Sequence, residues 1–269
     1  MGDIPKIVVL GGGESGVGAA VLAKKKGLEV FLSDNNKIED KYRRVLIHFE
    51  VDFEEEGHSV DKILKSSEVI KSPGIPNDIP LIKKLESKGI GVISEIEFAK
   101  RYTNAKTICI TGSNGKTTTT LLIYHILKSA GLNVGLAGNI GESFALQVAS
   151  HNYDYYVLEI SSFQLDNMFQ FKADISILLN ITPDHLDRYN NSFDLYAEAK
   201  FRITQNQTKD DAFIYCADDN TIAQMMKDKK ILAKRFPISL KMEDYKEGAY
   251  LKRKEIIINL DTLEEVSSI

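Results

Sequence analysis

The octapeptide Thr111-Gly112-Ser113-Asn114-Gly115-Lys116-Thr117-Thr118 carries the residue types that grip a polyphosphate. It follows an apolar run at 107–110 and leads into Leu121, Leu122, Ile123, Ile126 and Leu127, so a glycine turn joins a buried strand to an amphipathic helix. Backbone N–H groups of such a turn, with the free donors of the first helical turn, converge on anionic oxygens. Lys116 adds a point charge and Thr117 a hydroxyl for Mg²⁺. The commonest phosphate-loop pattern needs a glycine where this chain has Ile110, so this is a shorter loop. Chemistry on ATP is the first expectation.

Further residues offer ligand or metal chemistry, each with a plainer alternative. Gly11-x-Gly13-x-x-Gly16, with Asp34 at the end of the next strand, fits a dinucleotide fingerprint; the same glycines also serve simple helix–strand packing. Glu159 ends an apolar strand and is followed by Ser161 and Ser162. It is either a Mg²⁺ ligand or a solvated acid, and the serines are ligands or helix caps. The loop 180–189 gathers Asp184, His185, Asp187 and Arg188; His185 is a ligand only if it faces the same pocket. Lys200, among apolar helix residues, reads by itself as a snorkelling lysine. Asn139, in Gly138-Asn139-Ile140-Gly141, is a turn residue or a substrate contact.

The elements that must position these residues alternate. Strands are expected at 6–10, 29–33, 69–71 and 91–93, with helices at 17–26, 81–87 and 94–104; the pattern restarts with a strand at 107–110. Strands follow at 134–136, 155–160, 175–180 and 213–216, helices at 193–205 and 221–228, and a small β-hairpin region at 248–269. This is an α/β chain: a Rossmann-like parallel-sheet domain over 1–94, then a P-loop-type α/β ATPase domain over 95–269.

With 269 residues there is enough chain for two cores. A formal charge of −4, with Lys and Arg interspersed among Asp and Glu, supplies no basic field for nucleic acid. Cys109 and Cys216 lie in apolar runs and read as core thiols, with no metal or disulfide spacing. No signal segment opens the chain and no apolar stretch approaches the ~18 residues of a membrane span. A cytosolic protein with neither nucleic-acid nor membrane partners is expected.

In this order the blocks Gly11 to Gly16, Ser72-Pro73-Gly74-Ile75, Thr111 to Thr118, Gly138 to Gly141, Glu159-Ile160-Ser161-Ser162-Phe163-Gln164-Leu165 and Asp184-His185-Leu186-Asp187-Arg188-Tyr189 closely resemble the Mur ligases of bacterial peptidoglycan synthesis. Within that family they are most similar to the branch that adds D-glutamate to UDP-N-acetylmuramoyl-L-alanine. The resemblance implies an ADP-forming amide ligase working through an acyl phosphate. It implies that Gly13, Glu14, Ser15, Asp34, Asn35, Asn36, Ser72, Pro73, Gly74, Asn139, Ser161 and His185 hold the UDP-substrate. Gly112 to Thr118 would hold ATP, and Thr117, Glu159, His185 and Lys200 the Mg²⁺ side. Lys116, His185 and Lys200 are the implied catalytic residues, with Lys200 carried as a carbamate.

Family members continue past residue 269 with a domain that closes over ATP and contacts D-glutamate. The chain is therefore read as lacking its C-terminal domain, a fragment whose binding is expected and whose turnover is not. A nucleotide-binding module without turnover and an NAD-dependent dehydrogenase are the alternatives.

Overall fold

The computed structural model describes residues 6–241, 246–260 and 263–268. Contacts within the chain group it into two compact units: Met1–Ala105 with Asn133–Asp154 and Phe163–Phe171, and Lys106–Leu132 with Tyr155–Ser162 and Lys172–Ile269. The sequence reading divides the chain once, after residue 94; the contact-defined units interleave along the chain.

In the first unit the apolar segment β1 (Lys6–Leu10) is followed by α1 (Glu14–Lys25), β2 (Glu29–Ser33), α2 (Asp40–His48), β3 (Asp52–Glu54), α3 (Val60–Ile63), β4 (Glu68–Lys71), α4 (Pro80–Ser87), β5 (Gly91–Ile93) and α5 (Glu95–Lys100). The sheet order is β3-β2-β1-β4-β5 and every pairing is parallel. Strand order reverses between β1 and β4, so their C-terminal ends open a crevice where such sheets take ligands. One face packs Val8, Leu10, Phe31, Val69 and Val92 against Ile63, Ile82 and Leu85, all buried. Each such side chain contributes roughly 1.5–3 kcal/mol of burial.

Helix α1 begins at Glu14 rather than at Val17 as expected, because Gly13 in extended conformation already serves as its N-cap. Its small residues let it sit against α7 (Phe144–Ser150), which follows β7 (Val134–Gly138) later in the same unit. The expected helix over 94–104 is shorter: Ser94 caps it and it ends at Lys100. Glu97 then accepts N–H groups from Phe169, Gln170 and Phe171 at 2.8–3.0 Å, tying a distant segment into the unit.

The second unit contains β6 (Lys106–Thr111), α6 (Lys116–Ser129), β8 (Tyr155–Glu159), β9 (Ile175–Leu178), α9 (Phe193–Phe201), β10 (Ala212–Cys216), α10 (Asn220–Asp228), β11 (Lys234–Ser239), β12 (Gly248–Lys252), β13 (Glu255–Leu260) and β14 (Leu263–Ser268). The short helix α8 (Ser162–Leu165) starts at its edge. Its strands run β14-β13-β12-β11-β10-β9-β6-β8, parallel as far as β12 and antiparallel through the last two pairings. The expected hairpin region is thus a three-stranded meander, with residues 261, 262 and 269 outside the described residues. The helix expected over 193–205 leaves α geometry at Phe201 and finishes as a 3-10 turn, Arg202–Thr204.

Two expectations about burial are corrected. Leu121, Leu122 and Ile126 of α6 are 45, 56 and 55% exposed, so of its apolar residues Ile123 and Leu127, half-buried beside Thr120, are the ones that turn inward. Cys109 is buried as expected, but Cys216 is only half-buried because β10 carries alternate side chains to a partly open sheet face.

Candidate functional site

Strand β6 has β9 on one side and β8 on the other, which places the glycine loop at a second switch point. Gly115 adopts φ +82°, a left-handed conformation that lets it serve as the N-cap of α6. The loop is held from the β9 side. Ser113 N–H donates to Asn180 O at 3.0 Å, and the Asn114 N–H donates to Asn180 Oδ1 at 2.8 Å. The Asn180 amide returns a bond to Asn114 O at 3.0 Å. The Ser113 hydroxyl donates to Thr182 O at 2.8 Å and accepts from Thr182 N–H at 2.9 Å. With its single hydrogen committed, Ser113 must accept from the Tyr196 hydroxyl, 3.0 Å away.

Four residues from three segments, α6, β8 and α9, meet at this loop. Lys116 Nζ donates to Gly112 O and Ser113 O, both at 2.9 Å, and Lys200 Nζ donates to Gly112 O at 2.8 Å. The Thr117 hydroxyl donates to Glu159 Oε2 at 2.9 Å. Glu159 is 1% exposed, so it is not a solvated strand-end acid. Lys200 is 1% exposed too, which overturns the snorkelling reading: its ammonium lies inside, 4.6 Å from the Tyr196 ring centre. Burial, and after it the charge of Lys116, push the Lys200 amine down to about 7, while Asp184 acts the other way.

His185 follows Asp184 in the loop after β9. It has φ +49°, is 59% exposed at its side chain and places Nε2 3.6 Å from Asp184 Oδ2. Ser161 is half-buried, immediately before α8.

The fit to a divalent ion rests on the donor set. Among the described residues no group of three or more His, Cys, Asp and Glu side chains is built to hold a metal alone. The Thr117 hydroxyl and Glu159 carboxylate are hard oxygen donors side by side at a phosphate loop. That suits Mg²⁺, which takes one or two protein oxygens and fills its shell with water and phosphate.

The first unit assembles its own candidates at the crevice. Leu10 pairs with Lys71, so Gly11 and Ser72 leave adjacent strand ends side by side. A Cβ on Gly11 would stand 2.5 Å from Ser72 Oγ, so only glycine permits this approach. Asp34 Oδ2 accepts from Gly12 N–H at 2.5 Å and Oδ1 from Asn36 N–H at 2.7 Å, fixing the glycine turn to the end of β2. Gly13, Glu14, Asn35, Asn36 and Gly74 are exposed at this end, with Ser15 and Pro73 half-buried. Asn139 is exposed in the turn between β7 and α7.

Residues 110–265 match the Mur ligase middle domain and residues 6–79 the MurD N-terminal domain. The chain belongs to the Mur ligase family. Relatives named UDP-N-acetylmuramoylalanine--D-glutamate ligase include one from Bacteroides fragilis, 60% identical over 255 residues, and one from Porphyromonas gingivalis, 53% identical over 258. The matches cover 94 and 95% of this chain but 57% of each relative, so it spans little more than half the length of these Mur ligases. Among solved structures, a UDP-N-acetylmuramate:L-alanyl-gamma-D-glutamyl-meso-diaminopimelate ligase from Neisseria meningitides superposes with a TM-score of 0.64 at 16% identity. The match covers 97% of this chain and 86% of that one. A UDP-N-acetylmuramate-alanine ligase from Thermotoga maritima gives 0.56 at 20% identity, covering 98 and 58%. At these identities the likeness is one of Mur ligase fold.

Sequence reading missed the residues that brace the Mur ligase loop. Asn180 and Thr182 lie in the singled-out 180–189 block, but only coordinates show them gripping Ser113 and Asn114. Tyr196 carries the one available signal, a polar aromatic one helical turn before Lys200.

Proposed function

We propose that the chain is the substrate- and ATP-binding part of an amide ligase that joins D-glutamate to UDP-N-acetylmuramoyl-L-alanine. The single observation that carries this reading is the meeting of Lys116, Thr117, Glu159 and Lys200 at one glycine loop. The named relatives supply the substrate identities. Residues 1–94 form the UDP-substrate domain, with Gly13, Glu14, Ser15, Asp34, Asn35, Asn36 and Ser72 to Gly74 around the nucleotide. Residues 95–269 form the ATP domain, in which Gly112 to Thr118 cradle the phosphates; Asn139, Ser161 and His185 face the muropeptide. The expected setting is the cytoplasm, in cell-wall synthesis, consistent with no described helix being long and apolar enough to cross a membrane.

The terminal alanine carboxylate attacks the γ-phosphorus of ATP, the bond to the bridging oxygen breaks, and ADP leaves. The D-glutamate amine then attacks the acyl carbon of the acyl phosphate, and inorganic phosphate departs as the amide forms. Lys116 would turn from Gly112 O and Ser113 O toward the phosphates and stabilise the charge moving to ADP. Thr117 and Glu159 would hold Mg²⁺, which when bound neutralises phosphate charge. Lys200, buried and readily neutral, is suited to add CO₂ through its amine lone pair, losing a proton to give a carbamate. That exchanges a cation beside the phosphates for an anionic oxygen donor.

Calorimetry on the 269-residue chain tests the reading. UDP-N-acetylmuramoyl-L-alanine and ATP–Mg²⁺ should each bind and NAD should not; absence of both binding signals sinks it. The second reading is a binding module without turnover. Phosphate release that depends on both muropeptide and D-glutamate separates the two.

A further inference from the structure

Glu95, the first residue of α5, is 3% exposed and takes part in no step of the ligase chemistry. Its Oε1 accepts from the Ser143 hydroxyl at 2.8 Å and from the Ala145 backbone N–H. Ser143 is the N-cap of α7, and its Oγ accepts from Leu146 N–H at 3.2 Å. Two of the donors that open α7 are therefore met, one by the helix's own serine and the other by a carboxyl far upstream. Helix α7 has no acidic residue of its own in that turn. Oε2 of Glu95 is buried without a partner, and burial, with a smaller push from the charge of Glu14, raises the carboxyl to about 7.

What Glu95 holds is the far end of a closed turn. Ala137 and Glu142 form a bridge, and Gly141 at φ +74° lies so near Leu136 O that a Cβ would stand 2.9 Å from it. Ser143 follows directly. Helix α1 presses on it from another side, since a Cβ on Gly18 would be 2.0 Å from Ser143 Oγ. Ser143 has one place to sit, and the turn bearing Asn139 spans from Leu136 to that place.

We propose that Glu95 is a positioning residue for Asn139, acting through the cap of α7, and so sets the affinity of the first unit for the UDP-muropeptide. This rests on Asn139 being the substrate contact read above. Three consequences separate it from a general structural role. Glu95→Gln keeps an acceptor oxygen for Ser143 and Ala145, Glu95→Ala removes it, and any loss that runs through Asn139 disappears once Asn139 is gone.

The test is calorimetry with UDP-N-acetylmuramoyl-L-alanine on the full 269-residue chain. Glu95→Ala should weaken binding about tenfold, the scale of one lost helix cap, and leave ATP affinity as it was. Glu95→Gln should stay within about twofold, and Glu95→Ala placed in an Asn139→Ala background should add nothing further. A folded Glu95→Ala that binds like wild type overturns the proposal, as does a tenfold loss that persists without Asn139. If wild type itself takes no UDP-muropeptide, the functional reading falls. Amide exchange over residues 138–146 then decides the positioning: faster in Glu95→Ala but not in Glu95→Gln supports it, and unchanged in both refutes it. Should Glu95→Ala lose its circular-dichroism signature, Ser143→Ala opens the same clasp from its other side and carries the comparison.

Discussion

Lys116 and Lys200 donate to the same carbonyl oxygen, that of Gly112, at 2.9 and 2.8 Å. Two ammonium groups on one acceptor repel, and the strain falls on the buried one, whose amine burial and then Lys116 push down to about 7. An arriving triphosphate offers Lys116 a better partner. Lys116→Met should lower ATP affinity about 10- to 100-fold, the scale of a hydrogen bond to a charged group. In the same variant the Lys200 amine should titrate at higher pH by NMR. Undiminished ATP binding would remove Lys116 from the phosphate site.

Lys200→Ala should abolish ligation in any assay where the chain turns over, and a small added carboxylate should restore part of it. The same change bears on stability. An amine held near 7 in the folded chain but near 10.5 when unfolded releases its proton on folding between those values, so its stability cost shrinks as pH rises from 7 toward 10.5. Urea melts across that range should show less dependence on pH in Lys200→Ala than in wild type.

Glu95 gives the opposite slope in a different window. Its folded carboxyl keeps a proton up to about 7 whereas the unfolded one loses it near 4.5, so the folded chain binds more protons in between. Stability from this group is fullest below about 4.5 and falls as pH rises to 7, by at most roughly 3 kcal/mol at 1.36 kcal/mol per pH unit. Glu95→Gln should flatten that component of the denaturation profile; a profile identical to wild type would show the carboxyl to be ionised in both states.

The last two glycines of the Gly11-x-Gly13-x-x-Gly16 turn should respond unequally. At Gly16 a Cβ would lie 1.9 Å from Gly11 O, a backbone atom that cannot move aside, so Gly16→Ala should cost about 1–3 kcal/mol or more. At Gly13 nothing lies within 4 Å of the added atom, and Gly13→Ala should cost under about 1 kcal/mol as a weaker helix cap. Equal midpoints in urea would show that the turn yields.

Much of this was legible beforehand because period and punctuation agree. The apolar runs at 6–10, 29–33 and 155–159 are strands since both faces of a parallel sheet are covered, and the glycines at 11 and 115 mark turns that tolerate no other residue cheaply. The partnership of Thr117 with Glu159 followed from the way strand ends gather in one crevice. Burial was harder. Leu121, Leu122 and Ile126 sit at helical spacing and still face outward, and Lys200 is charged by type and yet enclosed, because enclosure depends on which elements lie above a residue. Helix α2, with exposed Lys41 and Arg44 and Leu46 as its buried residue, was not among the expected helices, because its polar composition masks the apolar period. Nothing in the sequence singles out Glu95 and Glu97; their roles depend on partners some 50 and 70 residues away.

Glu97 takes its three amide donors from residues 169–171, which belong with β1 to β5 in the first unit. A polypeptide emerging from the ribosome therefore cannot finish that unit when its five-stranded sheet is complete. It must wait for a further stretch of chain, through Phe171, after the strand and loop of the second unit have already been made. Expressing residues 1–105 alone would leave this carboxylate and its neighbours without the segment that closes them.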